Sequence, residues 1–301
     1  MGGFASDHRS GSGNVATAFL AELGRWSALD TSASPAALRV ALLQRLRAAQ
    51  TAHPSLALIH QLAARALDVA DTAIARGEGT ADVRAHLAAS CAAESADLAA
   101  GLRETARHAL TLCDQRDAWI VTLSHSGTVR EAFLEAHRAG LRPRALIGEG
   151  RPLMEGRALA SALAEAGLPV WLVVDAALPL LLSQAHLAWI GADAITEQGV
   201  LNKVGSFAVA LAAREHSVPL YALASRRKFM PAATAALRIE EMPATEVWDA
   251  PGTGVRPRNV YFELVPMNLV RGIVVEDGAL GASEAATLAR ERPLPDELAA
   301  G

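Results

Sequence analysis

The sequence predicts an α/β fold, with an all-helical N-terminal domain at residues 1–115 and a Rossmann-like, parallel-sheet α/β domain at residues 116–301. Three observations predict it. Apolar residues recur at three- and four-residue spacing from Asn14 to Leu112, with no strand signal among them. After Trp119, short apolar runs alternate with polar loops and helical segments, the pattern of successive βαβ units. The chain is 301 residues long, 51% hydrophobic and only 20% charged, enough to bury a sizeable core and unlike a disordered chain.

In the first half, Val15, Phe19, Leu20, Leu23 and Trp26 mark one helix. Ser34 and Pro35 open the next, since serine suits a cap and proline the first turn. Leu38, Leu42, Leu43 and Leu46 line its face, and His53-Pro54-Ser55 interrupts. The helical period resumes from Leu56 to Ala75, breaks at Gly77-Glu78-Gly79, and continues from Thr80 to Leu112 as one or two helices. In the second half the strands are Trp119–Leu123, Ala145–Ile147, Val170–Val174, Leu187–Ile190 and Pro219–Ala224, rich in β-formers. The helices between them are Arg130–Ala139, Arg157–Ala166 and Ser206–Glu215. A connection with a short helix at 232–236 leads to two last strands, near Asn259–Pro266 and Ile273–Gly278. The tail from Ala279 reads as a loosely held helix or as disordered.

In open α/β sheets, ligands bind beyond the carboxyl ends of the strands. Asp193, Asn202, Lys203 and Lys228 fall at such ends: one carboxylate, one amide and two ammonium groups, a set that suits a phosphorylated small molecule. The alternative is that Asp193 caps a turn and the lysines are solvated. Ser124-His125-Ser126-Gly127-Thr128 joins a strand to a helix start, where hydroxyls, backbone N–H groups and the helix dipole favour an anion. A net charge of −4 gives no support for a nucleic-acid surface. Cys91 and Cys113 match neither a disulfide framework nor a metal-site spacing and read as small apolar residues in helices; no metal and no cofactor is expected. No apolar run approaches the roughly 18 residues needed to span a membrane, and the N-terminus lacks the pattern of a signal peptide. A cytoplasmic protein is the expectation.

The run G-A-D-x-I…N-K-x-G-S, followed by a strand and R-K-F, resembles the superfamily of the alpha, beta and delta subunits of eukaryotic translation initiation factor 2B. Sugar-phosphate isomerases acting on methylthioribose 1-phosphate and ribose 1,5-bisphosphate belong to that superfamily. Glu149-Gly150-Arg151-Pro152…Gly156 matches its E-x-R-P-x-x-x-G, and Asp175-Ala176-Ala177 is a further match. The resemblance implies a pocket in which Arg9, Ser10 and Gly11 of the first loop, with Ser126, Gly127 and Thr128, hold phosphate, and Arg151 contacts the ligand. Composition alone makes residues 1–13 a frayed terminus, and Arg151 could instead pair with Glu149. Asp175 reads as a helix cap.

Two departures matter. His53 stands where the isomerases have a phosphate-binding arginine, and it reads here as a helix-boundary residue. Ser124 stands at the cysteine whose thiol is assigned to proton transfer. A serine hydroxyl is a far poorer acid or base near neutrality unless a partner activates it, and His125, adjacent on an extended segment, points away. The loop between Asp193 and Asn202 is also one residue shorter than in the isomerases. Three functions therefore compete. One is an initiation-factor-2B-like protein binding a sugar phosphate or nucleotide between its two domains. Another is an aldose–ketose isomerase of a phosphorylated pentose, with Asp193 and Ser124 as the catalytic pair. The third is a scaffold with a vestigial pocket. The resemblance also implies a homodimer through the C-terminal domain, for which the apolar run Leu178–Leu182 offers surface.

Overall fold

The computed structural model describes residues 3–299. Four helices open the chain: α1 (Ser12–Leu29), α2 (Pro35–Ala52), α3 (Ala57–Ala75) and α4 (Thr80–Leu110), the last a single 31-residue helix. The Ser34 hydroxyl caps α2 by accepting from the Ala37 N–H, with Pro35 in the first turn. Val15, Phe19, Leu20 and Leu23 of α1 meet Leu38, Leu42 and Leu46 of α2 in one core, all 3% exposed or less. That core also encloses a polar group. His60 is fully buried, its Nδ1 taking a hydrogen bond from the Gln50 amide at 2.9 Å and its Nε2–H donating to the Pro54 carbonyl at 3.1 Å. Burial pushes its pKa down to about 4, so the ring is neutral and both nitrogens are satisfied.

The second half alternates. The strands are β1 (Trp119–Leu123), β2 (Arg144–Gly148), β3 (Val170–Val173) and β4 (Leu187–Ile190), with α5 (Gly127–Arg138), α6 (Gly156–Glu165) and the short α7 (Leu178–Leu181) between them. A hairpin, β5 (Ala194–Ile195) and β6 (Gly199–Lys203), precedes α8 (Ser206–Glu215) and β7 (Leu220–Leu223). The chain ends with β8 (Phe262–Pro266), β9 (Gly272–Val275), β10 (Gly278–Leu280), α9 (Ala282–Arg290) and α10 (Asp296–Ala299). The main sheet runs β10-β9-β7-β4-β1-β2-β3 and is parallel except for the β10 edge. Leaving out β10, this is the doubly wound order, and the chain reverses direction between β1 and β4. Phe133, Leu159 and Leu163 cover one face together with Ala106 and Ala109 of α4; Leu178, Val209, Ala213 and Ala285 cover the other. Both faces are buried, which explains why β4 reads as a continuous apolar run.

Three sequence expectations are corrected. Asn202 and Lys203 do not lie beyond a strand of the parallel sheet: they end β6, which forms a second, antiparallel sheet in the order β5-β6-β8. The segment 232–236 makes turns rather than a helix. The tail is not loose. Leu298 is fully buried in the helical core, its carbonyl accepts from Gln50, and Glu297 pairs with Arg39.

Candidate functional site

The direction reversal between β1 and β4 leaves a crevice where two loops leave the sheet side by side. From β1 the chain passes Ser124, a non-glycine residue at φ 63°, in the left-handed region. Such backbone strain is held by its surroundings, here a Ser124 N–H donating to the Gly148 carbonyl at 3.3 Å. The turn swings the chain into α5, where Ser126 caps the helix by accepting from the Val129 N–H. Gly127 and Thr128 therefore form the first turn, with N–H groups free to meet an anion. From β4 the chain passes Gly191. A Cβ there would stand 2.9 Å from both Cβ and Oγ of Ser126, so only glycine lets the two loops close up.

Above these loops sits a cavity of about 360 Å³. Its walls come from both halves of the molecule. The first loop supplies Arg9, Ser10 and Gly11; the β1–α5 loop supplies Ser124, Ser126, Gly127 and Thr128; and Asp193, Asn202, Lys203 and Lys228 complete the lining. Eleven of the twelve site residues expected from sequence thus line one space. The first loop is not frayed at this point: Asp7 Oδ1 accepts from the backbone N–H groups of Arg9 at 3.1 Å and Ser10 at 2.8 Å. Partial burial works to raise the Asp7 carboxyl, but those bonds outweigh it and hold the pKa below the ordinary value.

Arg151 is the exception. Its side chain is exposed and reaches the Val247 carbonyl at 3.5 Å, and it does not line the cavity. Its backbone N–H, with that of Gly150, is held by Asp175, which braces this loop rather than capping a helix by its side chain. Glu149 pairs with Arg157, not with Arg151.

The innermost groups are Asp193, Lys228 and Ser12. Lys228 is 7% exposed, and its ammonium donates to Ser12 Oγ at 2.9 Å and to the Ala192 carbonyl. Ser12, the first residue of α1, sits near enough to Asp193 for its hydroxyl to favour the ionised carboxyl. Asp193 keeps part of its surface open to the cavity. Burial pushes its carboxyl above the ordinary range, against the attraction of Lys228, the Ser12 hydroxyl and Lys203. Burial pulls the Lys228 ammonium down, while Asp193 and Glu276 favour its charged form. Nearby, Asn202 donates to Ser206 Oγ at 2.8 Å and Lys203 forms an ion pair with Glu155 at 2.9 Å. His53 is buried and neutralised in its own way: Nε2 bonds the Phe4 carbonyl at 2.7 Å, and desolvation lowers its pKa. It is therefore a poor substitute for an arginine.

Sequence reasoning missed Ser12, Arg130, Glu155 and Tyr261, all of which line the cavity. Arg130 was findable, because it lies one turn into the helix that follows the Ser/Gly/Thr loop. Glu155 occupies a position that the E-x-R-P-x-x-x-G pattern leaves open, and Tyr261 reaches the site only through the pairing of β6 with β8. Among the described residues no group of His, Cys, Asp or Glu side chains could hold a metal ion, and no helix is long and apolar enough to cross a membrane.

The chain belongs to the Initiation factor 2 subunit family, whose pattern matches residues 8–282. It is 34% identical over 180 residues to a Pyrococcus furiosus protein named as translation initiation factor eIF-2B subunit 2-like, covering 59% of this chain and 63% of that one. It is likewise 34% identical over 180 residues to the ribose 1,5-bisphosphate isomerase of Archaeoglobus fulgidus, covering 58% of this chain and 57% of that one. The chain thus spans about three fifths of the length of these curated relatives. The crystal structure of the Pyrococcus horikoshii translation initiation factor eIF-2B superposes with a TM-score of 0.78 at 26% identity, over 92% of this chain and 94% of that one.

Proposed function

We propose that this chain is an initiation-factor-2B-like protein that binds a sugar phosphate or nucleotide in the cavity between its helical and α/β halves. The observation that carries the reading is the meeting of two features in that space: an anion-binding helix start at Ser126-Gly127-Thr128, and the buried Lys228–Ser12–Asp193 group. The phosphoryl group takes the N–H groups of the first turn of α5, with Arg9 and Arg130 on the cavity wall to balance its charge. Sugar hydroxyls take Asp193, Asn202 and Lys228. A thermal-shift screen of ribose phosphates and nucleoside monophosphates, followed by titration calorimetry on Lys228→Ala, tests it. Loss of a charged hydrogen bond is worth about 1.5–3 kcal/mol, so affinity should fall roughly ten- to a hundredfold. Equal affinities in wild type and variant would refute this placement.

The second reading is an aldose–ketose isomerase of a phosphorylated pentose such as ribose 1,5-bisphosphate or methylthioribose 1-phosphate. The raised pKa of Asp193 favours it, because a carboxyl moved toward neutrality can both give and take a proton. Ser124, as a serine, supplies no second titrating group. If the geometry is otherwise intact, Ser124→Cys gains turnover from a slow or silent parent; if Ser124→Cys stays silent while ligands bind, the binding reading stands alone.

We also propose a homodimer through the α/β half. The Leu178–Leu182 run does not furnish the surface, since Leu178 and Leu182 are core residues and Leu180 alone of these three is strongly exposed. Exposed Phe207 and Leu211 on α8, beside Leu264 on β8, support it instead. A sedimentation mass of one chain at micromolar concentration would count against it.

A further inference from the structure

Arg9, Ser10 and Gly11 reach the cavity on a loop with two fixed ends. At one end Gly11 opens α1 and lies against the β1–α5 loop: a Cβ on it would stand 3.3 Å from the His125 carbonyl oxygen. At the other end a short turn, Gly3–Ser6, buries Phe4 against Phe19, with ring centroids 5.4 Å apart. Between the ends, Asp7 folds the loop on itself through its bonds to the Arg9 and Ser10 N–H groups. Among the described residues, one hydrogen bond ties residues 3–10 to the rest of the molecule: His53 Nε2–H donates to the Phe4 carbonyl at 2.7 Å. A carbonyl oxygen only accepts, so Nε2 carries the proton. His53 is itself held. It ends α2, is 4% exposed, donates its own N–H to the Ala49 carbonyl at 3.2 Å and accepts from the Leu56 N–H at 3.1 Å. Its ring also meets that of His8, centroids 5.2 Å apart, one residue before Arg9. A single imidazole therefore grips the loop at Phe4 and at His8, and both histidines line the cavity.

We infer that His53 is a positioning residue for the ligand's phosphoryl group: it holds the first loop over the cavity, so that Arg9 is in place before the ligand arrives. Ordering a free loop costs conformational entropy, and a loop ordered in advance spares the ligand that cost. The histidine stands where the isomerases have a phosphate-binding arginine, and here it serves the same anion through Arg9, not by contact. This inference rests on the proposed binding function and adds the residue that sets the first loop for it.

The test is titration calorimetry with ribose 5-phosphate, joined to trypsin digestion of the unliganded protein read at the bond after Arg9. His53→Phe fills the same space without the N–H donor, and His53→Gln keeps an N–H in reach of the Phe4 carbonyl. His53→Phe and Arg9→Ala should each weaken binding about tenfold, and the double variant should bind no more than about twofold weaker than either, because both changes remove one contact. His53→Gln should stay within about threefold of wild type in affinity. Without ligand, trypsin should cut His53→Phe after Arg9 at least about fivefold faster than wild type or His53→Gln. Phe4→Ala frees the same loop from its other partner and should repeat the His53→Phe result, so the test stands even if His53→Phe does not fold. Wild-type affinity in His53→Phe, losses that multiply with Arg9→Ala, or equal cleavage rates overturn the inference and leave the cavity reading intact. If wild type does not bind ribose 5-phosphate, the proposed function fails and this inference with it.

Discussion

Ser12 is a single hydroxyl that ties the two halves of the molecule together, and Ser12→Ala should show it. The residue opens α1 yet meets Lys228 from beyond β7 and Asp193 from beyond β4. It is 8% exposed, so water does not readily replace its oxygen. Removing it leaves a buried ammonium one partner short and takes a hydroxyl from beside the Asp193 carboxyl. A hydrogen bond to a charged group contributes about 1.5–3 kcal/mol, and the Ala192 carbonyl still serves Lys228, so a loss of roughly 2–3 kcal/mol is expected. At about 2.1 cal/mol/K per residue, a chain of 301 residues should then melt roughly 3–5 °C lower. Differential scanning calorimetry without ligand reads this directly. A double-mutant cycle sharpens it: in a Lys228→Met background the Ser12→Ala cost should fall to half or less, because the Lys228–Ser12 bond is already gone. A Ser12→Ala protein melting within 1 °C of wild type, or a cost that is the same in both backgrounds, would refute the reasoning.

Asp193 makes a signed prediction about pH. Its folded pKa lies above its unfolded value because of burial, so its contribution to stability is fully present below about pH 4 and is lost as pH rises through the folded pKa. Relative to wild type, Asp193→Asn should therefore gain stability between pH 4 and pH 7 in denaturant titrations; a constant or falling difference over that range would contradict the burial argument. Leu298→Ala tests the tail. This side chain is fully buried against the helical core, so truncation should cost about 2–5 kcal/mol, whereas a loosely held tail would leave the unfolding midpoint unchanged.

Much of the fold was legible because its signals are local. Helix α8 at Ser206–Glu215 and strand β4 at Leu187–Ile190 have the boundaries read from sequence, since each is a compact apolar segment bounded by glycine or polar residues. What was not legible depends on distant pairing. Residues 199–203 look like loop until 262–266 arrive to pair with them, and that pairing puts Asn202, Lys203 and Tyr261 on the cavity wall. The buried tail was invisible for the same reason: Leu298 acquires meaning only from the helical core far earlier in the chain, and Leu294 only from Ala57, Ala194, Leu201 and Met230. At the site, residue type together with strand-end position located Asp193, Lys203 and Lys228. It could not show that Lys203 is already paired with Glu155, or that Arg151 faces outward to Val247.

The proposed ligand of the crevice between β1 and β4 is a phosphorylated small molecule. A crystal structure of the chain with ribose 5-phosphate at saturating concentration tests it most directly. The phosphoryl oxygens are expected within hydrogen-bonding distance of the Gly127 and Thr128 N–H groups, with a sugar hydroxyl on Asp193 or Lys228. A cavity that stays empty, or a phosphate bound elsewhere on the surface, would contradict it.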